Sequence, residues 1–197
     1  MLLGGGHGFV GNVFPAVRGA AMLAPDLVRG FAARALDLLQ FTALHDSGAA
    51  NWHPMITTEE RVHGKLPLVQ ECHGAVGLIN RLVGLATEVS DTAAWDMLLT
   101  EAGEGLWRAG PLTKGVVFCH GTAGSVYALL KLFQRTGNTL WLDRARALAM
   151  HGVEQVEQER IRHGWGRHTL WSGDLGMACV LWGCITGVSA FPTLDSF

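Results

Sequence analysis

The chain has 197 residues, which is enough for one domain with a substantial hydrophobic core. Hydrophobic residues make up 49% of it and charged residues 16%, a composition that excludes an intrinsically disordered chain. The net charge of -2 gives no electrostatic reason to expect a nucleic acid or an anionic membrane surface as partner.

Four segments share the pattern Gly-x-x-Gly followed by an apolar stretch. In chain order they are HGFVGNVFPAV from His7, CHGAVGLINRLVGL from Cys72, CHGTAGSVYALLKLF from Cys119 and SGDLGMACVLWG from Ser172. Their first glycines follow one another at intervals of 66, 47 and 52 residues. Because such intervals fit a helical hairpin with its connections, the repeat predicts four helices that each begin at a Gly-x-x-Gly.

More polar, amphipathic stretches lie between these segments. The stretches 28–44 and 92–107 and the one from Thr139 onward carry apolar residues at helical spacing, and Thr139 is the predicted N-cap of the last one. No stretch shows sustained strand alternation with hairpin turn signals. The sequence therefore predicts an all-α protein.

The two kinds of helix predict a layered architecture. The Gly-x-x-Gly helices are apolar on most sides, as helices buried all round should be, and the amphipathic helices would surround them. Alternating inner and outer helices form an α/α toroid, in which the starts of the inner helices meet at one end. The residues expected at that end are His7, Cys72, His73, Cys119 and His120.

The cysteines divide into two groups. Cys72 and Cys119 lie in matching Cys-His-Gly triplets, which offer two thiolates and up to two imidazoles, the ligands that zinc accepts. Their separation of 47 residues is not a known zinc-finger spacing, so two buried thiols beside hydrogen-bonded histidines remain an alternative. Cys179 and Cys184 lie in the apolar run MACVLWGCI and are predicted to be plain buried cysteines.

Neither end of the chain predicts a targeting or membrane segment. The start, MLLGGGHG, lacks the basic and the long apolar regions of a secretory signal. No charged residue occurs between Asp174 and Asp195, over about the length that crosses a bilayer. Because this stretch contains glycines and a proline and repeats the Gly-x-x-Gly pattern, no membrane span is expected and the predicted location is the cytoplasm.

The ordered set of four motifs resembles the lanthionine synthetase C-like family, and the closing FPTLD resembles the end of that family. The resemblance covers nearly the whole chain, residues 1–197. It implies a partial LanC-like α/α toroid with about four of the family's seven repeats. The chain is therefore expected to be the C-terminal portion of a longer protein, unless a partner supplies the remaining repeats.

The resemblance also implies roles for individual residues. Cys72, Cys119 and His120 would hold one Zn²⁺, with the fourth position open to water or a substrate thiol. His7 would act as an acid or base beside the metal, unless it only bonds a neighbouring loop. His73 would support the first ligand and shuttle a proton.

Two basic residues are expected to bind the thiol substrate. Lys114 stands where glutathione-binding relatives carry a lysine, which would meet a carboxylate or help to hold a thiolate; a solvated loop lysine is the alternative. Arg167, in the loop before SGDLG, would be a second contact for an anion. Both expectations rest on the resemblance.

The implied activity is addition of a zinc-activated thiol to dehydroalanine or dehydrobutyrine, which forms a thioether. The partners would be glutathione or a thiol-containing peptide, with a dehydrated peptide as acceptor. Relatives usually have Trp where this chain has Glu71, and the lantibiotic cyclases have Arg where it has Leu68, which argues against a dedicated cyclase. A non-catalytic zinc- and glutathione-binding module, or an inactive fragment, is the alternative. A sugar-processing toroid would need paired carboxylates at the helix starts, where only Asp174 stands.

Overall fold

A computed structural model describes residues 1–56, 67–87 and 92–196. Within these ranges the chain forms seven α-helices and one two-stranded sheet, with short 3₁₀ helices at Ala20–Met22 and Val83–Thr87. The α-helices are α1 (Phe9–Arg18), α2 (Pro25–Thr42), α3 (Ala75–Leu82), α4 (Thr92–Ala109), α5 (Thr122–Thr136), α6 (Thr139–His163) and α7 (Asp174–Thr186). The all-α class is confirmed, whereas closure into a toroid stays a prediction.

The chain divides into two compact units, Met1–Leu106 and Trp107–Phe197. In the N-terminal unit α1 packs against α2 and α3. In the C-terminal unit α5 packs against α6 and α7, and α6 also packs against α7. In each unit, a Gly-x-x-Gly helix thus contacts both an amphipathic helix and a second Gly-x-x-Gly helix, as the repeat predicts.

The four Gly-x-x-Gly helices begin where the repeat predicts. Their N-cap residues are Gly8, Gly74, Gly121 and Gly173, and none of them supplies a side-chain cap. The carbonyls of Leu2, Gly115 and Arg167 accept the first amides of α1, α5 and α7, at 2.9, 3.0 and 2.7 Å. In α3 the side chain of Asn51 takes this role, because its Oδ1 accepts from Ala75 N at 2.8 Å. The loop before each of α1, α5 and α7 therefore caps the helix with its backbone.

The capping loops explain why the first residue of the motif is glycine. A Cβ atom at Gly121 would lie 2.3 Å from the carbonyl oxygen of Gly115. At Gly173 it would lie 2.0 Å from the carbonyl oxygen of Arg167. Both distances are far below van der Waals contact, so a side chain at these positions would push the capping loop off the helix.

The prediction of burial on all sides is right for two of the four helices. Every residue of α3 except Arg81 is buried, and α5 is buried from Thr122 through Leu130. It is wrong for α1, whose buried residues are Val10 and Val13, and for α7. On α7, the large apolar side chains of Trp182 and Ile185 are 67% and 72% exposed.

The amphipathic helices bury one stripe each. The predicted stripe of α4 is fully buried: Trp95, Leu98, Leu99, Ala102 and Leu106. The predicted N-cap of α6 is wrong by one residue, because Asn138 caps the helix and Thr139 is its first residue. The Asn138 Oδ1 accepts from Leu140 N at 3.0 Å. Both residue types serve as N-caps, so composition alone does not distinguish the two positions.

A small β-hairpin was not predicted. Strands β1 (Leu44–Asp46) and β2 (Ala49–Asn51) pair antiparallel through a two-residue turn. Ser47 and Gly48 in that turn both have positive φ, 49° and 81°, which is typical of a type I′ hairpin turn. Strands of three residues are too short to show alternation. The hairpin matters for the site because its last residue, Asn51, caps α3.

The charge-free segment after Asp174 forms α7 and a turn. The helix ends at Thr186, and its C-cap Gly187 has a left-handed φ of 71° that closes the helix. Among the helices that the structure describes, none has the length and hydrophobicity needed to cross a membrane.

Candidate metal and thiol site

Three of the predicted site residues lie near one another in the N-terminal unit. The rings of His7 and His73 lie with their centroids 6.0 Å apart and tilted by 43°. Between their segments, Gly6 N donates to the carbonyl of Cys72 at 3.4 Å. A Cβ atom at Gly6 would lie 3.4 Å from the Cys72 Sγ, so the N-terminal loop runs directly beside this buried sulfur. The structure thus places the His7 and His73 rings near one another, with the loop at Gly6 beside the Cys72 sulfur.

Backbone contacts hold Cys72 in a defined turn. Gln70 and His73 exchange two backbone hydrogen bonds, at 2.9 and 3.1 Å, which encloses Cys72 in a tight turn. The N-terminal loop lies directly against this turn, because a Cβ at Gly4 would be 2.0 Å from the Cys72 carbonyl oxygen. The glycine run before His7, whose role the sequence alone did not predict, allows that approach.

Cys119 and His120 directly precede α5 in the C-terminal unit, and both are half-buried. Cys119 N donates to the carbonyl of Trp171 at 3.0 Å, which ties its backbone to the loop before α7. Consecutive residues on a helix point in diverging directions, but these two lie outside the helix. Helical geometry therefore does not force their side chains apart.

Lys114 and Arg167, the predicted contacts for an anion, line one pocket of about 270 Å³ in the C-terminal unit. Both residues are exposed. Glu159 and Asp174 also line the pocket, which therefore presents both signs of charge. The sequence predicted the two basic residues but not the two acidic ones as pocket residues.

The three predicted zinc ligands are divided between the two units. Cys72 belongs to the N-terminal unit and Cys119 and His120 to the C-terminal unit. Within residues 1–56, 67–87 and 92–196, no group of three or more His, Cys, Asp or Glu side chains could by itself hold a metal ion. Their types fit zinc, since thiolates and imidazole are its usual ligands, and glycine lies beside the Cys72 sulfur. That they share one ion stays a prediction.

Cys179 and Cys184 lie on α7 and differ in burial. Cys184 is buried as predicted, whereas Cys179 is half-buried. Burial raises the pKa of the Cys184 thiol to about 11, although the positive charge of Arg146 opposes the shift. Burial also raises the pKa of Cys179. Because the thiolate is the reactive form, neither residue is activated as a nucleophile.

A sequence profile of lanthionine synthetase C-like proteins matches residues 3–195, which is nearly the whole chain. The chain belongs to the lanthionine synthetase C-like family. The glycine-capped helix starts and the two Cys-His-Gly triplets described above are therefore features of a LanC-like protein.

Two relatives show how this LanC-like chain compares with others. It is 31% identical to LanC-like protein GCL1 of Arabidopsis thaliana over 132 residues, which cover 64% of this chain and 30% of that protein. It is 37% identical to the protein named Glutathione S-transferase LANCL1 of Danio rerio over 78 residues, 40% of this chain and 19% of that one. The matches span less than a third of either relative's length.

The residue directly before Cys72 is the acidic Glu71, and the structure shows how its charge is accommodated. The Glu71 carboxylate is 1% exposed and accepts from Asn80 Nδ2 at 2.6 Å and from Arg81 Nε at 2.8 Å. The Arg81 guanidinium in turn lies 4.9 Å from the centre of the Phe14 ring. Two polar residues inside the otherwise apolar α3 were the sequence signal for this buried cluster.

Proposed function

We propose that this LanC-like chain carries the site of a zinc-dependent protein that activates a thiol for addition to dehydroalanine or dehydrobutyrine. The supporting observation is the approach of the His7 and His73 rings, beside the turn that holds Cys72. Cys72, Cys119 and His120 would hold the zinc. When bound, zinc supplies the Lewis acidity that keeps a thiol deprotonated near neutral pH.

The two histidines would move the protons of the reaction. His73 accepts the proton that the thiol loses. The thiolate sulfur then forms a bond to the β-carbon of the dehydrated residue, and the electrons of the double bond move to the α-carbon and its carbonyl. His7, which is exposed, donates a proton to the α-carbon and completes the thioether.

The pocket of Lys114 and Arg167 would bind the thiol compound. Two cationic side chains suit the carboxylates of a glutathione-like tripeptide, while Glu159 and Asp174 on the same pocket suit its ammonium group. The name of the zebrafish relative supports glutathione as the thiol. Leu68 cannot supply the positive charge that lantibiotic cyclases have at this position, which also favours glutathione addition. Thiol ligands fit a reducing cytoplasm, where we place the protein.

The first experiment measures zinc per chain in the purified full chain. Wild type should contain about one zinc, and Cys72→Ala and Cys119→Ala should contain little. Cys184→Ala is the matched control, since this buried thiol lies on α7 and is not a proposed ligand. Equal zinc in all four proteins, or none in a folded wild type, would contradict the proposal.

The second experiment measures the chemistry. Glutathione and a dehydroalanine peptide are incubated with the zinc-loaded chain, and the thioether is detected as a mass increase. His7→Ala should lower kcat, because the proton donor is lost, whereas Lys114→Ala should mainly raise KM for glutathione. A wild type that binds zinc and glutathione but forms no thioether would support the non-catalytic alternative.

A further inference from the structure

The segment of residues 191–196, FPTLDS, folds back onto the C-terminal unit; it is called the terminal segment below. Two of its side chains, Phe191 and Leu194, are buried at 0% and 2% exposure. Neither zinc chemistry nor thiol binding uses these residues. Their burial nevertheless brings the segment against the chain that leads into Cys119.

Asp195 holds the terminal segment to α5. Its carboxylate accepts hydrogen bonds from the Tyr127 hydroxyl and from Lys131 Nζ, both on α5. The same carboxylate accepts from the backbone N–H of Phe191 at 2.8 Å. One side chain therefore closes the turn of the segment and anchors it to the helix that follows Cys119.

A first path leads from Asp195 to Cys119 through stacked rings. The Phe191 ring lies on the Phe118 ring, with centroids 3.8 Å apart and planes tilted by 21°. Phe118 is fully buried and is the residue directly before Cys119. A displacement of Phe191 would remove the stacking partner that holds this backbone in place.

A second path runs through Trp171. Its indole Nε1 donates to Thr193 Oγ1 of the terminal segment at 3.1 Å. Its carbonyl accepts from Cys119 N at 3.0 Å. Thr193 has a φ of 73°, which is strained for a β-branched residue and persists only where the surroundings hold it. The three hydrogen bonds that Asp195 accepts supply that restraint at the neighbouring turn.

We propose that Asp195 is a positioning residue that fixes Cys119 for metal binding. The proposal rests on the proposed zinc site and adds how its second thiol is oriented. Cys119 precedes α5, so helical hydrogen bonds do not fix its conformation, and the two paths from the terminal segment do so instead. Groups that orient metal ligands commonly change metal affinity by 10- to 100-fold when they are removed.

The test titrates the metal-free full chain with Co²⁺, whose thiolate charge-transfer and visible bands report ligand number and geometry. Asp195→Asn keeps the size of the side chain but weakens its hydrogen bonds. We expect about tenfold weaker Co²⁺ binding and altered bands. Ser189→Ala is the matched control: it removes a buried hydrogen bond to Gln134 just before the terminal segment and should leave affinity and bands unchanged.

The outcomes separate this proposal from the proposed function. A folded wild type that binds no Co²⁺ would overturn the metal site itself. Binding that depends on Cys119 in the wild type, with affinity and bands unchanged in Asp195→Asn, would overturn only the positioning role. If Asp195→Asn does not fold, Tyr127→Phe takes its place, since it removes one hydroxyl from the same carboxylate; unchanged binding there would overturn the role as well.

Discussion

Glu71 occupies the position next to the proposed ligand Cys72, and its carboxylate is almost completely removed from water. Such burial carries a large desolvation cost, which is offset only by well-placed partners. Here Asn80 and Arg81, both on α3, donate to the two carboxylate oxygens. Glu71 therefore ties the turn that contains Cys72 to the helix that follows it.

Replacing Glu71 should destabilise the protein because Arg81 would remain partly buried without its carboxylate. For Glu71→Ala we expect the free energy of unfolding to fall by about 3 kcal/mol, measured by urea denaturation. The control is Glu101→Ala, which removes a more exposed carboxylate from its contact with His45 and should cost less than about 1 kcal/mol. Similar losses in the two variants would contradict a special role for the buried pair.

The raised pKa of the Cys184 thiol should make the stability of the protein depend on pH. Its thiol has a pKa of about 11 in the folded protein against an ordinary 9.0, so the folded state holds this proton more tightly. The contribution of the protonated thiol to the free energy of unfolding is complete below pH 9 and is lost as the pH rises toward 11. The free energy of unfolding, measured with reductant present, should decline over this range and decline less in Cys184→Ala. An identical decline in both proteins would rule out this origin.

At the scale of the elements, the helix starts depend on glycine because the capping loop touches the N-cap. Gly121→Ala would place a methyl group 2.3 Å from the carbonyl oxygen of Gly115. We expect a loss of about 1 to 3 kcal/mol in the free energy of unfolding, measured by urea denaturation, as the loop is displaced.

The matched control for Gly121→Ala is a glycine substitution that is expected to raise the free energy of unfolding. Gly30 lies on the exposed side of α2, and a Cβ atom added there would have no other atom within 4 Å. Gly30→Ala should stabilise the protein by about 0.5 to 1 kcal/mol, because alanine favours the helix. A Gly121→Ala protein as stable as Gly30→Ala would show that the loop does not constrain the helix start.

Elements with a repeated motif or a long apolar periodicity were predictable, and shorter features were not. The starts of α1, α3, α5 and α7 were found because the same glycine pattern marks all four. The hairpin β1–β2 was missed because its strands have three residues each and its only signal is the dipeptide Ser47–Gly48. The cap of α6 was misplaced because two adjacent residues both suit that position.

In the candidate site, too, residues in the repeated motif were predicted, whereas contacts outside it were not. The approach of the His7 and His73 rings followed from equivalent positions in two repeats. The partners of Glu71 were not predicted, although Asn80 and Arg81 are the polar residues of an otherwise apolar helix, since the sequence does not show which buried polar groups will meet. The role of Asp195 was hidden for the same reason, because the residues that donate to it on α5 lie more than 60 positions earlier.

At the scale of the whole molecule, the proposed metal ligands come from distant parts of the chain. Cys72 and Cys119 are 47 residues apart, so an ion that holds both restricts a long loop. Metal binding of this kind contributes directly to folding free energy. Removing the metal should therefore affect global stability.

Chelation should lower the melting temperature of the zinc-loaded wild type, measured by circular dichroism. Zinc at about a thousand times its Kd adds about 4 kcal/mol to the folded state, which is the stabilisation that a chelator removes. Cys119→Ala, which cannot form the site, should melt at the same temperature with and without chelator. An equal shift in the two proteins would mean that the chelator acts elsewhere.

The loop-capped start of α5 also bears on how the proposed anionic thiol compound would be held. Exposed amides at a helix N-terminus often bind phosphate or carboxylate groups. In α5, the amides of Thr122 and Ala123 already donate to the loop carbonyls of Gly115 and Val116, at 3.0 and 3.1 Å. These two amides are therefore occupied, and the proposed charge contact comes from side chains such as Lys114, whose attraction is weakened by salt at an exposed site. The affinity for the proposed anionic substrate should therefore fall as the salt concentration rises, because it depends on side-chain charge more than on the helix dipole.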